Sequence, residues 1–343
     1  MRVAITTTHI PFIRGGAEAL AEGLRDALYS HGHQADIIAM PFRFFPARDV
    51  QRAMDQWQTE NLESCNGYEI DRVICLKFPA YYGNHPRRVL WLIHQHRSVY
   101  ELWDERQHRN LEDRELRRRI IETDNRRIAE IPKRFAISEN VAARLLRYNG
   151  IDAESLYHPP PRANGLYTAP PESFIFCPSR LEELKRQHLL IRAMRHVRSP
   201  VVALICGAGG QEPAYRQLIE KIGVTDRVRL LGEIDPAQLA AYYAMSLGVF
   251  FGPRDEDYGY VTLEAMLSAK PVITCRDSGG PLEFVRHGET GLIVEPEPES
   301  VADAIEHLHK DTARAQQMGQ NGHRLYAEMS ISWENVVDRL LSE

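Results

Sequence analysis

Short apolar, β-branched runs alternate with helix-forming segments along the whole chain, and this alternation limits the possible folds more than any other feature. Val3–Thr7, Ala35–Met40, Arg72–Lys77, Val89–His94 and Arg134–Ile137 read as buried strands. Helices are expected over about 17–30 and 111–130, and a third, capped by Ser138, ends near Tyr148-Asn149-Gly150. A second series follows at Phe174–Pro178, Val201–Cys206, Val228–Leu231, Gly248–Phe251, Val272–Cys275 and Leu292–Val294, with helices such as Pro236–Met245 and Thr262–Ala269 between. Strands separated by helices pair in parallel through crossovers, so two doubly wound α/β domains are predicted. Between the two series, His158-Pro159-Pro160-Pro161 and Ala169-Pro170-Pro171 bracket a stretch without apolar periodicity. Proline lacks a donor N–H and disfavours helix before it, so this stretch reads as an inter-domain connection. The final helical stretch, about 301–341, is expected to break near Gly319–Gly322 and again near Ser330–Ser332.

The 343 residues, 43% apolar and 26% charged, suffice for two packed cores and exclude wholesale disorder. No run approaches the ~20 apolar residues of a membrane span, and the first residues lack the apolar core of a signal peptide. The five cysteines are odd in number and carry no C-x-x-C spacing. Cys177, Cys206 and Cys275 sit inside apolar runs, as small core residues do, which fits a reducing, cytoplasmic setting. A net charge of −5 argues against a nucleic-acid binder. Residues 1–165 hold 24 Lys and Arg against 22 Asp and Glu, and the remainder 18 against 25, so the first part is basic and the second acidic. A basic first domain suits an anionic surface or substrate; ordinary solvated faces are the plain alternative.

Chemistry concentrates after strand ends. Glu256-Asp257-Tyr258-Gly259-Tyr260-Val261-Thr262-Leu263-Glu264 follows an apolar strand and runs through a glycine into a helix, with Thr262 as the expected cap. First-turn amides make an anion site, and two carboxylates beside it suit a ligand bearing hydroxyls as well as phosphate. Arg180 and Lys185 follow Phe174–Pro178 and could neutralise a departing diphosphate. Gly15-Gly16 opens the first helix without a full G-x-G-x-x-G, so no dinucleotide fingerprint is present. Gly207-Ala208-Gly209-Gly210 reads as structural. His94 and His96 share one face at strand period, but no third ligand has a metal-site spacing, so His94 reads as a hydrogen-bonding group at a strand end. Pro41-Phe42-Arg43-Phe44-Phe45-Pro46 mixes aromatics with arginine and suits a lipid interface or an acceptor, unless it is buried on its own domain. The arginines from Arg106 to Arg134 are interleaved with acids and read as a solvated helical face.

In this order, the residues resemble the family 4 retaining glycosyltransferases (glycosyl transferases group 1). The most specific element is Glu256 through Glu264 with the acids eight apart, followed by Ala265-Met266; around it stand Arg180 and Lys185, Val228–Gly232, Lys270-Pro271-Val272-Ile273 and Gly279-Gly280-Pro281-Leu282-Glu283. The resemblance implies a GT-B fold, two Rossmann-like parallel-sheet domains facing across a cleft. Expected boundaries are 1–160 for an acceptor-binding domain, 161–325 for a nucleotide-sugar-binding domain, and 326–343 for a helix that packs back on the first. It implies a nucleoside-diphosphate-sugar donor whose ribose is held by Glu264. The diphosphate would be held by Gly15, Gly16, Arg180, Lys185, Tyr260, Val261 and Thr262. The donor sugar falls to His94, Glu256, Asp257, Tyr258 and Gly259, with His94 and Glu256 catalytic. No cofactor and no metal are expected, and the partners are that donor and a glycan or lipid-linked acceptor of bacterial surface polysaccharide synthesis. Peripheral contact with an anionic inner membrane face is expected, and nucleic acid is not. Ser179 and Ala269 stand where the family commonly has glycine, and Tyr258 replaces a usual Phe. Two other readings remain open: a sugar-nucleotide 2-epimerase of the same fold and a non-catalytic sugar-nucleotide-binding protein.

Overall fold

The computed structural model describes residues 1–105 and 110–342, so Arg106 lies outside the described residues. The chain divides into two compact units, Met1–Pro161 with Ser332–Glu343, and Arg162–Ile331. In the first unit, β1 (Arg2–His9), α1 (Gly16–Ser30), β2 (Gln34–Pro41) and α2 (Ala47–Thr59) lead to a two-stranded hairpin, β3 (Ser64–Cys65) and β4 (Tyr68–Glu69). There follow β5 (Arg72–Lys77), β6 (Arg88–His94), α3 (Leu111–Ala129), β7 (Lys133–Ala136), α4 (Glu139–Asn149) and β8 (Glu154–Ser155). Six parallel strands order as β2-β1-β5-β6-β7-β8. Both faces of a parallel sheet are covered, which is why Val73, Ile74, Leu90 and Leu92 are all buried instead of alternating with polar residues. Ser138 caps α4, its side chain accepting from the Val141 amide at 3.1 Å, and Gly150 ends that helix in the left-handed conformation.

The second unit runs β9 (Phe174–Pro178), α5 (Gln187–Ala193), β10 (Val202–Cys206), α6 (Glu212–Ile222), β11 (Val228–Gly232), α7 (Pro236–Met245) and β12 (Gly248–Phe250). It continues with α8 (Tyr260–Leu267), β13 (Val272–Cys275), β14 (Gly291–Val294), α9 (Pro298–Lys310) and α10 (Thr312–Glu328). Its six parallel strands order as β11-β10-β9-β12-β13-β14. Two apolar layers cover the sheet, one centred on Ile175, Leu190 and Ile305, the other on Phe176, Tyr243 and Val249.

A last helix, α11 (Trp333–Leu341), belongs to the first unit. Trp333 lies edge-on to Trp91, with ring centroids 6.4 Å apart, and a Cβ on Gly23 would fall 2.5 Å from its ring. Arg72 donates to the Leu340 and Ser342 carbonyls at 3.0 and 3.1 Å, fixing the end of α11 beside β5.

The expected break at Gly319–Gly322 does not occur. α10 runs straight through both glycines, and the chain breaks instead around Asp311. Gly319 serves packing: a Cβ there would collide with the Ala269 carbonyl, so its absence lets α10 lie against the turn after α8. Gly319→Ala is expected to destabilise the second unit by about 1–3 kcal/mol through overpacking. Gly165→Ala, where a Cβ meets nothing within 4 Å, should leave the denaturant midpoint unchanged.

Candidate functional site

The second sheet reverses its strand order between β9 and β12. Open α/β sheets bind ligands outside the strand carboxyl ends at such a reversal. The loop after β9 carries Arg180 and Lys185, and the loop after β12 carries Glu256 and enters α8. Lys185 Nζ donates to Glu256 Oε2 at 2.5 Å and lies 5.6 Å from the centroid of the Phe251 ring. Both side chains are less than one-fifth exposed, so little water screens the pair.

The surrounding backbone fixes this pair. The Glu256 amide donates to the Ser278 carbonyl and the Gly280 amide to the Glu256 carbonyl, both at 2.8 Å, tying the loop to Gly279-Gly280 after β13. Arg186 holds the same loops from the other side. Its guanidinium grips the Asp277 carboxylate with two bonds of 2.8 and 2.6 Å, and donates to the Gly252 and Pro253 carbonyls at 2.8 and 2.7 Å. In the sequence, Arg186 carries no signal beyond its adjacency to Lys185. Arg180 is exposed, with no ion pair among the described residues. Its loop is set by the one after β10: the Ser179 amide donates to the Cys206 carbonyl at 3.1 Å and the Leu181 amide to the Ala208 carbonyl at 2.9 Å. A Cβ at Gly207 would overlap the Ser179 carbonyl, so this glycine loop acts as a seat for the loop carrying Arg180.

The cap of α8 differs from the expectation. Gly259, at φ +95°, precedes the helix, and Tyr260 begins it. Thr262 is already in the first turn: its amide donates to the Gly259 carbonyl at 2.9 Å, and its buried hydroxyl has no hydrogen-bond partner. A left-handed residue at this position lets the chain turn directly from the buried Tyr258 into the helix, leaving no room for a threonine cap. Tyr258 packs edge-on to Tyr260 and Phe284, with ring centroids 5.6 Å apart in each case, and Asp257 and Val261 are partly exposed beside it. Glu264 is buried on α8 and accepts from the Tyr243 hydroxyl at 2.6 Å. Burial pushes its carboxyl above the ordinary range, opposed by that bond.

In the first unit the reversal lies between β1 and β5. Gly15 precedes α1 there, and its amide donates to Glu18 Oε2 at 2.8 Å, while Gly16 is the first helical residue. Lys77, buried at the end of β5, places its ammonium 3.5 Å from Glu18 Oε1, tying the helix start to the sheet. His94 ends β6, half-buried, with Nδ1 2.7 Å from the Gln95 carbonyl. His96 is packed among Phe42, Phe44 and Phe78, and burial pushes its pKa down to about 4. Of the aromatic segment, Phe42 is buried, whereas Phe44 is half exposed and Phe45 80% exposed. Behind His94 runs a network the sequence did not reveal. Gln95 donates to Asn149, Asn149 donates to the Tyr100 hydroxyl, and Tyr81, Tyr82 and Tyr100 all donate to the buried Asp124. Burial outweighs the three hydroxyls and raises Asp124 to about 6. Among the described residues, no group of three or more His, Cys, Asp or Glu is placed to hold a metal ion.

The paired sheets, with matching strand reversals and a returning helix, define the GT-B architecture. Sucrose-phosphate synthase from Thermosynechococcus elongatus superposes with a TM-score of 0.78 over 98% of this chain and 96% of its own, at 19% identity. Anabaena HepE in complex with UDP and glucose does so at 0.70, over 99% and 98%, at 20% identity. Residues 167–325, within the second unit, match the model of the family Glycosyl transferases group 1. D-inositol 3-phosphate glycosyltransferase of Corynebacterium urealyticum is 31% identical over 47% of this chain and 40% of its own length. GDP-mannose-dependent alpha-(1-6)-phosphatidylinositol monomannoside mannosyltransferase of Mycobacterium tuberculosis is 33% identical over 48% and 46%. The chain thus spans less than half the length of these two relatives.

The buried carboxyl of Glu264 gives stability a direction in pH. An acid whose folded pKa is raised contributes stability below its unfolded value and loses it as pH rises through the folded one. Glu264→Gln keeps an oxygen for Tyr243 and removes the ionisation. Its denaturant midpoint should fall less than that of the wild type as pH rises from about 4 to 7.

Proposed function

We propose that this protein is a retaining glycosyltransferase. It would move a sugar from a nucleoside-diphosphate donor to an acceptor hydroxyl: the anomeric C–O bond to the diphosphate breaks, the acceptor oxygen bonds the same face, and the hydroxyl proton passes to the leaving diphosphate. The observation that carries this reading is the Lys185–Glu256 pair at the strand reversal of the second unit, with buried Glu264 on the helix that follows. An ammonium and a carboxylate held together at 2.5 Å suit a ligand that is itself mixed. Phosphate oxygens compete for Lys185, and sugar hydroxyls for Glu256.

In this reading Arg180 and Lys185 neutralise the leaving diphosphate, with the amides of Tyr260, Val261 and Thr262 at the helix start. Glu264 accepts from ribose hydroxyls, and Glu256, Asp257, Tyr258 and Gly259 surround the sugar. Gly15, Gly16 and His94 keep the roles the family resemblance gives them, with His94 positioning the sugar and steadying its developing positive charge. The basic pair and the helix start do the work a metal would otherwise do. The similarity to inositol-phosphate and phosphatidylinositol-mannoside enzymes supports a hydroxylated, lipid-linked or glycan acceptor, in bacterial surface polysaccharide synthesis at the cytoplasmic membrane face. Exposed Phe45 and Arg43 suit peripheral contact with anionic lipid, and no helix among the described residues is long and apolar enough to cross a membrane.

Thermal shifts with UDP, GDP, TDP and ADP test the donor site. A ligand at about 100 times its Kd adds ~2.7 kcal/mol, a rise of a few degrees. One nucleotide should stabilise the wild type, and Arg180→Ala and Glu264→Ala should lose that gain. With the matching sugar nucleotide and an acceptor, Glu256→Ala should lower kcat about 10²-fold or more. Release of an epimerised sugar without acceptor would instead favour the epimerase, and binding without turnover the non-catalytic reading.

A further inference from the structure

At the other end of α8, beyond its carboxyl terminus, the second unit contains a cavity of about 840 Å³. Lys270 and Ser268 line one side, the Thr168–Pro171 segment another, and α10 a third. Lys270 is 4% exposed. Its ammonium donates to the Ala169 carbonyl at 2.9 Å, and no carboxylate pairs with it among the described residues. Ser268 is fully buried, and its hydroxyl has no hydrogen-bond partner. Buried charges and hydroxyls are normally paired, because leaving them unmet costs free energy. Here a buried charge without a carboxylate partner and a buried hydroxyl without a hydrogen-bond partner belong to residues that line one cavity.

The helix across the cavity has matching chemistry. Arg324, His323, Gln317 and Gln320 of α10 line it. His323 Nδ1 lies 3.2 Å from the Met266 carbonyl. The lining is thus two basic side chains, a serine, an imidazole and amides, with no acid. We propose that this cavity is a second ligand site, binding a phosphorylated sugar or a similar small phosphate monoester. Lys270 and Arg324 would hold the phosphoryl group, and the glutamine amides the hydroxylated body. Burial lowers the Lys270 ammonium to about 8, so it is charged at neutral pH, and an anion would stabilise that charge. The rival explanation is that Lys270 only offsets the negative end of α8.

Calorimetric titration of the full chain with inorganic phosphate, glucose 6-phosphate and glucose separates these. Binding of glucose 6-phosphate at millimolar concentration or below is expected, with glucose silent. Weaker binding of inorganic phosphate would show that the body contributes, and equal binding that the phosphoryl group dominates; both support the site. Lys270→Met should weaken binding roughly tenfold or more, the loss of a charge-assisted hydrogen bond. Arg324→Ala, on the exposed face of α10, should weaken it several-fold and serves if the Lys270 variant does not fold. Lys185→Ala should leave it unchanged, which separates this site from a diphosphate site at Lys185 and makes the result independent of the transferase reading. No heat with either phosphate, binding that survives both Lys270→Met and Arg324→Ala, or binding lost in Lys185→Ala would overturn the proposal.

Discussion

Lys185 and Glu256 come from loops 71 residues apart, and their bond joins the two strand ends between which the second sheet reverses direction. Much of the local structure around them serves to keep those two loops in register. Arg186 ties the Gly252–Pro253 segment to Asp277, the Gly279-Gly280 turn is hydrogen-bonded to Glu256 on both sides, and the Gly207 loop seats the Arg180 segment. A parallel sheet makes such a site available by placing all its carboxyl ends on one edge. It does not by itself hold the loops still. That task falls to charge-assisted bonds between side chains and neighbouring backbone, which are short and directional.

Glu264 and Asp124 represent another side of the same economy. Each is a buried carboxyl met by tyrosine hydroxyls, one by Tyr243 and the other by Tyr81, Tyr82 and Tyr100. In both, burial outweighs the hydroxyls and the acid is weaker than in water. Tyrosine supplies one proton at the end of a rigid ring, so it can fix a carboxylate within a core without introducing a second charge.

The parallel-sheet architecture was legible because it rests on apolar runs, and a run such as Phe174–Pro178 or Val272–Cys275 is both a strand and a core segment. Ser138 was legible as a cap for a local reason, since its side chain bonds three residues on. Thr262 misled for the same local logic. Threonine is a good cap in general, but Gly259 in a left-handed conformation starts the helix earlier, and the chain geometry at Tyr258 decides the matter. α2 was not foreseen at all, because its polar face dominates its composition, while only Ala47, Val50, Met54 and Trp57 reach the core. The Asp124 network was illegible because its members lie on separate elements, and no spacing in the chain brings Tyr81, Tyr100 and Asn149 together. Gly319 reads as a helix breaker in one dimension and as a packing contact in three.

The assignment of α11 to the first unit has a bearing on synthesis. Trp333 fills the space over Gly23 and beside Trp91, and Arg72 finds its carbonyl partners at Leu340 and Ser342. Trp333, Leu340 and Ser342 are translated only after the entire second unit. As the chain leaves the ribosome, the first sheet can therefore form early, but it does so with an apolar indole-sized gap and an unmet arginine. The nascent first unit must wait through about 170 residues of further chain, Arg162 to Ile331, before its own final helix arrives. During that interval the exposed groove beside Gly23 is the surface on which a chaperone, or a premature contact with another nascent chain, would act.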